Sequence, residues 1–326
     1  MRICIVGAGA IGGYLGVKLA LAGAEVSLIA RGAHLAAIQR DGLTVTYADG
    51  TVEVAHPAMA TAELNEAGPQ DYVIVAVKAQ SIPALAAPMR VLYGPDTAIV
   101  YAQNGIPWWY FMGHGGAYEG RRIEAVDPGG LIAASTEVER VIGCVLYPAA
   151  QIARPGVIRH IEGNRFSLGE PSGAQTERVT RLSKLMGTAG LRAPVRPDIR
   201  NELWLKLWGN LSFNPISALT RATMDRIIAD PLARRLVEQM MAEAQVVAER
   251  LGVRFPISIE RRITMAESIG IHKTSMLQDI EAGRPTEVDA LVGAVVELGR
   301  LTGTPTPQLD AIYASVKLLE QTLARA

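Results

Sequence analysis

The sequence predicts an α/β protein: an N-terminal Rossmann-type parallel-sheet domain with an antiparallel extension, followed by an all-α C-terminal domain. Three observations carry this. A strand, a glycine-rich turn and a helix stand in that order at the N-terminus; short apolar runs then alternate with helical patterns; and beyond residue 198 only helical patterns remain. At 326 residues the chain is long enough for two cores. The expected division is residues 1–196 and 197–326, with 193–198 as linker because its two prolines stiffen a connection while forbidding regular structure.

Residues 2–6 form a short apolar strand. Gly7-Ala8-Gly9-Ala10-Ile11-Gly12 follows, then a helix that ends at Gly23. Glycines there let the backbone turn tightly and approach a pyrophosphate, held by free amides at the helix N-terminus. The context favours a dinucleotide, although a flavin or S-adenosylmethionine would suit the same loop. At the end of the second strand, 25–29, an NAD site usually places a carboxylate for the ribose 2′-hydroxyl. Here the chain reads Ala30-Arg31-Gly32, and a guanidinium would instead attract a 2′-phosphate, so the expected cofactor is NADPH. A solvated loop arginine is the plain alternative.

Residues 43–47 and 52–55 flank Ala48-Asp49-Gly50 and read as a hairpin. The buried-strand runs 71–77 and 97–101 lead into Lys78 and Asn104, at the sheet rim where ligands collect. A solvated lysine and an Asn-Gly turn would explain the same two residues. Segments 141–146, 156–161 and 165–168 read as the antiparallel extension, and 175–186 as a helix.

Lys plus Arg balances Asp plus Glu at 32 each, which argues against a nucleic-acid partner. The apolar run 3–17 imitates a signal peptide, but its repeated glycines and short length argue against export or membrane insertion, so a soluble cytoplasmic protein is expected. Cys4 and Cys144 read as buried thiols in a reducing compartment, and five scattered histidines lack the spacing of a metal site.

In the second half, helices are expected at 199–214, 230–251, 257–269, 273–282, 286–302 and 307–323. The first carries Lys206, Asn210 and Asn214 at four-residue intervals, within about 80° of one another, while Trp204, Leu205, Leu207, Trp208 and Leu211 cover much of the remaining surface. Such a stripe on a helix buried nearly all round needs internal partners or a polar ligand. A lysine snorkelling from a surface helix is the alternative. Ser275 and Asp279 share a later helical face, and Glu287 falls in the first turn of the next helix, where it would also complement the helix dipole and support capping by Thr286. The apolar helices 230–251 and 286–302 suit a homodimer face as well as an internal core. The seam between the domains is where a small substrate would meet the nicotinamide.

These segments, taken in order from residue 1 to about 320, resemble the ketopantoate reductase (2-dehydropantoate 2-reductase) family: the glycine loop, Val77-Lys78-Ala79, Gln103-Asn104-Gly105, Asn201-Glu-Leu-Trp-Leu-Lys206 with Asn210 and Asn214, and Ser275-Met-Leu-Gln-Asp279 with Thr286-Glu287. The resemblance implies NADPH-dependent reduction of 2-dehydropantoate to (R)-pantoate, on the route to pantothenate and coenzyme A. It makes Lys206 the catalytic lysine, Asn210 and Asn214 the substrate asparagines, and Ser275 the carboxylate-binding serine. It places Lys78 and Asn104 against the cofactor, Asn104 also near the substrate, and Glu287 between cofactor and substrate hydroxyl. Ala150 matches a backbone contact to NADP. Two features depart from the pattern: His272 stands where the family often has Asn, and the run Trp108-Trp-Tyr-Phe111 is bulky, either narrowing the pocket or packing the seam. A different branched 2-oxo acid, or a non-catalytic NADPH-binding sensor, are the rival readings.

Overall fold

A computed structural model describes residues 1–267 and 270–324. The chain forms two compact units: Met1–Gln103 with Trp109–Arg121 and Gly130–Ile199, and Asn104–Trp108 with Arg122–Gly129 and Arg200 onward. The strands of the first unit are β1 (Arg2–Val6), β2 (Glu25–Ile29), β3 (Leu43–Thr46), β4 (Val52–Ala55), β5 (Met59–Thr61), β6 (Gln70–Val75), β7 (Tyr93–Tyr101), β8 (Val141–Leu146), β9 (Ala149–Arg154), β10 (Val157–Glu162) and β11 (Phe166–Gly169). Its helices are α1 (Ala10–Leu21), α2 (Gly32–Asp41), α3 (Leu64–Ala67), α4 (Ile82–Ala86) and α5 (Glu177–Thr188).

Seven strands form the main sheet in the order β11-β8-β7-β6-β1-β2-β5, all parallel except β11. The antiparallel extension is therefore one strand deep, because β8 joins β7 in parallel. The segment expected at 156–161 leaves this sheet. As β10 it builds a second one, β4-β3-β10-β9, together with the hairpin. Only Val157 and Ile158 of β10 are buried, which suits a sheet with one face in water. Strand β9 was not foreseen; its residues are half-buried or exposed and give no apolar run.

Helix α1 is inserted between the two sheets. A Cβ at Gly16 would stand 2.8 Å from Leu28 of β2, and one at Gly13 would stand 3.0 Å from Ile158 of β10. Small residues on both faces let the helix approach both layers. The core between them holds Ile3, Ile5, Leu15, Leu19, Val26, Leu28, Tyr72 and Ile74. Both cysteines are free and buried, and burial pushes the Cys4 thiol up to about 12, which leaves it inert.

Arg31 stands exposed at the end of β2 as the N-cap of α2, a helix that was not foreseen because only Ala37 and Ile38 are buried and little apolar periodicity betrays it. One expectation for this unit needs correction. The linker 193–198 is not free of structure, since the amides of Phe166 and Leu168 donate to the carbonyls of Arg192 and Pro194 at 2.7 and 2.9 Å, and Arg196 donates to Leu168. Proline lacks a donor, but its carbonyl still accepts. Trp109, Tyr110 and Phe111 are buried as packing, the Trp109 ring lying where a Cβ on Gly143 of β8 would meet it at 2.6 Å.

The second unit is helical: α6 (Ile199–Thr220), whose first residue closes the first unit, α7 (Met224–Ala229), α8 (Pro231–Arg250), α9 (Ile259–Glu267), α10 (Ser275–Glu281), a π turn at Asp289–Gly293 running into α11 (Ala294–Thr302), and α12 (Pro307–Leu323). The expected end of the 257–269 helix, at residues 268 and 269, lies outside the described residues. Helix α6 continues six residues past its expected end at Asn214, with Pro215 inside it. The proline removes one hydrogen bond, and burial of Phe213, Ile216, Ser217 and Ala218 around it outweighs that loss. Val237, Met240, Met241, Ala244 and Val247 of α8 and Val295, Val296 and Leu298 of α11 are buried within this single chain, so the faces considered for a dimer form internal core. Among the described residues no helix is long and apolar enough to cross a membrane.

Candidate active site

Helix α6 carries the polar stripe because its other faces are anchored. Trp204, Leu207, Trp208 and Leu211 are buried, and the Trp208 indole N–H donates to the Met241 carbonyl of α8 at 2.7 Å. This fixes the rotation of the helix and presents Lys206, Asn210 and Asn214 one turn apart. Asn214 is buried, while Lys206 and Asn210 are half-buried.

The Lys206 ammonium donates to the Asn104 side-chain oxygen at 2.7 Å, and the Asn104 amide nitrogen donates to a Glu287 carboxylate oxygen at 3.1 Å. An ammonium, a primary amide and a carboxylate thus form one chain. The amide can serve it in only one orientation, oxygen toward the cation and nitrogen toward the anion. Asn104 follows the carboxyl end of β7 and groups with the second unit. Its turn is tied there: Ile106 donates its amide to the Ala290 carbonyl at 2.9 Å, and Gly105 (φ +86°) lies so close that a Cβ would stand 2.4 Å from that same oxygen. Only glycine allows this approach.

Glu287 stands just before the π turn, its carbonyl accepting from Leu291 at 3.0 Å. The capping of this segment falls to Thr286, whose hydroxyl oxygen accepts from the Val288 amide at 3.2 Å. The Glu287 carboxylate instead reaches Asn104, 183 residues away in sequence. One contributor was missed from sequence: Glu320 of α12 accepts both the Thr286 amide and its hydroxyl at 2.7 Å, and so fixes the segment from the far side. Nothing distinguishes a single glutamate near the end of an amphipathic helix, so no signal announced it.

Ser275 is the first residue of α10 and exposed, with Thr274 as the N-cap accepting from Leu277 at 3.2 Å. Asp279 on the same face is buried and paired with Arg284 at 3.1 Å. His272 is half-buried, and its carbonyl accepts from Met224 at 3.0 Å.

In the first unit the glycine loop lies at the carboxyl end of β1, between β6 and β2, where the strand order reverses and a parallel sheet opens a ligand crevice. Gly7 adopts φ +99°, and a Cβ on Gly12 would stand 2.0 Å from the Gly7 carbonyl oxygen, so both are required for the turn. The amides of Gly7 and Ala8 already donate to Ile29 at 3.2 and 3.0 Å. They hold the loop to β2, which leaves the first-turn amides of Ala10, Ile11 and Gly12 to meet an anion. Gly9 has no atom within 4 Å of where a Cβ would be, so ligand can approach it closely. Arg31 is exposed at the end of β2, with no carboxylate paired to it among the described residues. Lys78 follows β6 and is half-buried, and Ala150 pairs with His160 in the second sheet.

This combination, a parallel α/β nucleotide-binding unit followed by a helical unit with a lysine-centred polar cluster, defines a two-part dinucleotide-dependent oxidoreductase. The chain belongs to the ketopantoate reductase family. The model for ketopantoate reductase PanE/ApbA matches residues 3–173, and that for its C-terminal part matches residues 198–320. The chain is 57% identical over 320 residues to a 2-dehydropantoate 2-reductase of Mesorhizobium japonicum, covering 98% of each. Among solved structures, a Ralstonia solanacearum protein provisionally assigned as a ketopantoate reductase superposes with a TM-score of 0.93 at 46% identity, over 99% of this chain and 98% of that one. A 2-dehydropantoate 2-reductase of Methylococcus capsulatus does so with a TM-score of 0.84 at 28% identity, over 100% and 99%.

Proposed function

We propose that the protein reduces 2-dehydropantoate to (R)-pantoate with NADPH, as a cytoplasmic enzyme of pantothenate and coenzyme A synthesis. The observation that carries this reading is the hydrogen-bonded chain from Lys206 through Asn104 to Glu287, on a chain 57% identical to a 2-dehydropantoate 2-reductase. Residues 1–196 hold the dinucleotide and 197–326, joined by Asn104, act on the substrate.

The nucleotide loop fits the cofactor: first-turn amides and the open face of Gly9 suit a pyrophosphate, and the exposed Arg31 suits a 2′-phosphate. Lys78 and Ala150 complete this set. When bound, the reduced nicotinamide supplies the hydride that adds to the ketone carbon. Lys206 stabilises the negative charge developing on the ketone oxygen and donates the proton that completes the alcohol. Asn104 orients the ammonium. Glu287 holds the other end of Asn104 and faces the new hydroxyl. Asn210 and Asn214 orient the 2-oxo acid, and the exposed Ser275 hydroxyl receives its carboxylate.

The test is a panel of 2-oxo acids assayed with NADPH on the wild type and on Lys206→Ala. Ketopantoate should be the preferred acid, and the variant should lose about a hundredfold to ten-thousandfold in kcat while still binding NADPH. Faster turnover of another branched acid would reassign the substrate. A variant as active as the wild type would remove Lys206 from the chemistry.

A further inference from the structure

His34 lies on α2 one turn after Arg31 and makes two hydrogen bonds off its own helix. The Gly156 amide, in the turn between β9 and β10, donates to its Nδ1 at 3.0 Å, and its Nε2 meets the Ala8 carbonyl oxygen at 2.8 Å. An amide can only donate and a carbonyl can only accept, so the ring is neutral with its proton on Nε2. The imidazole therefore links three parts of the first unit: the glycine loop through Ala8, the helix that begins at Arg31, and the second sheet through Gly156.

The link bears on binding because of what the loop lacks. The amides of Gly7 and Ala8 hold one side of the loop to Ile29, while the Ala8 carbonyl is held from the other side by His34. A peptide bond rotates as a plane, so fixing that carbonyl also fixes the amide of Gly9, at the position where the helix N-terminus begins. Arg31 is tied to the same ring through one turn of helix, the Leu35 amide donating to the Arg31 carbonyl at 3.3 Å. The pyrophosphate-facing backbone and the 2′-phosphate-facing guanidinium thereby keep a set separation.

We propose that His34 is a positioning residue for NADPH, acting through Ala8 to hold the loop and the Arg31 helix in register. The inference rests on the dinucleotide-binding reading of the loop. It assigns His34 no part in the hydride or proton transfer, so its loss falls on cofactor affinity and spares turnover at saturation.

The test compares three substitutions in the full-length protein, by NADPH fluorescence titration and steady-state kinetics. His34→Ala should raise the Kd and KM for NADPH roughly fivefold to tenfold, as expected for a lost hydrogen bond, with kcat at saturating NADPH within about twofold. A glutamine amide reaches the place of Nε2 and an asparagine amide the place of Nδ1, so His34→Gln should restore NADPH affinity and His34→Asn should not. Overturning results are an unchanged Kd in His34→Ala, a loss confined to kcat, or equal behaviour of the Gln and Asn variants. Wild type that binds no NADPH would sink the dinucleotide reading itself. The ring's tautomer, read from 15N shifts of histidine without any cofactor, must place the proton on Nε2, and a proton on Nδ1 overturns the proposal independently.

Discussion

Arg31 concentrates the cofactor preference in one side chain. It occupies the end of β2, where a carboxylate would select a free ribose hydroxyl, and it stands exposed as the N-cap of α2. A guanidinium gains charge-assisted bonds from a phosphate that a hydroxyl cannot return. Arg31→Ala should therefore weaken NADPH by about tenfold to a hundredfold and leave NADH nearly unchanged, as read by Kd for each; equal losses for both would refute the assignment. At this scale the sequence was informative where chemistry is periodic or local. Lys206, Asn210 and Asn214 stood out as polar residues at helical spacing on a helix whose tryptophans had to be buried. The bonds Lys206 makes were not readable, because Asn104 and Glu287 are distant in sequence and each had an ordinary local explanation in a turn and a helix start. His34 was passed over because one histidine without metal-ligand spacing carries no signal until its two partners are seen.

At the scale of elements, α1 depends on how it is fastened to the second sheet. Lys18 of α1 and Tyr47, next to β3, both donate to Glu53 of β4, at 2.8 and 2.5 Å. Burial alone would raise the Glu53 carboxyl, but these two donors outweigh it and hold it below its ordinary value of 4.5. With the folded value depressed, the stabilisation is present above the unfolded value and is lost as pH falls through the folded one. Glu53→Gln should lower the unfolding free energy by about 1 kcal/mol at pH 7, and the gap to wild type should narrow progressively as pH falls below about 4.5. A gap that does not narrow with falling pH in denaturant titrations would show that shape, rather than charge, is what the glutamate supplies. The strands of the main sheet other than β5 were legible because burial on both faces writes near-continuous apolar runs, whereas the three-residue edge strand β5, with only Thr61 buried, writes none. The second sheet was not: β9 and most of β10 face water, so their pairing is decided by α1 passing between the layers rather than by any local pattern. Helix α6 ran past Pro215 for a related reason, its tertiary burial outweighing a local rule.

For the whole molecule, the two units do different work, and ligand linkage can separate them. The glycine loop and Arg31 lie in the first unit, and Lys206, Asn104 and Glu287 in the second. A ligand that binds only folded protein stabilises it by RT ln(1 + [L]/Kd), about 2.7 kcal/mol at a hundred times Kd. NADPH at that concentration should raise the calorimetric transition of the loop-bearing unit. NADH at the same concentration, if bound a hundredfold more weakly, should add only about 0.4 kcal/mol. In Lys206→Ala the NADPH shift should persist at full size, because the lysine contributes to the reaction and not to the dinucleotide loop, whereas in Arg31→Ala it should shrink toward the NADH value. A shift lost with Lys206 and kept without Arg31 would reverse the division of labour, placing cofactor affinity on the helical unit and leaving the basic tip of β2 as ordinary surface.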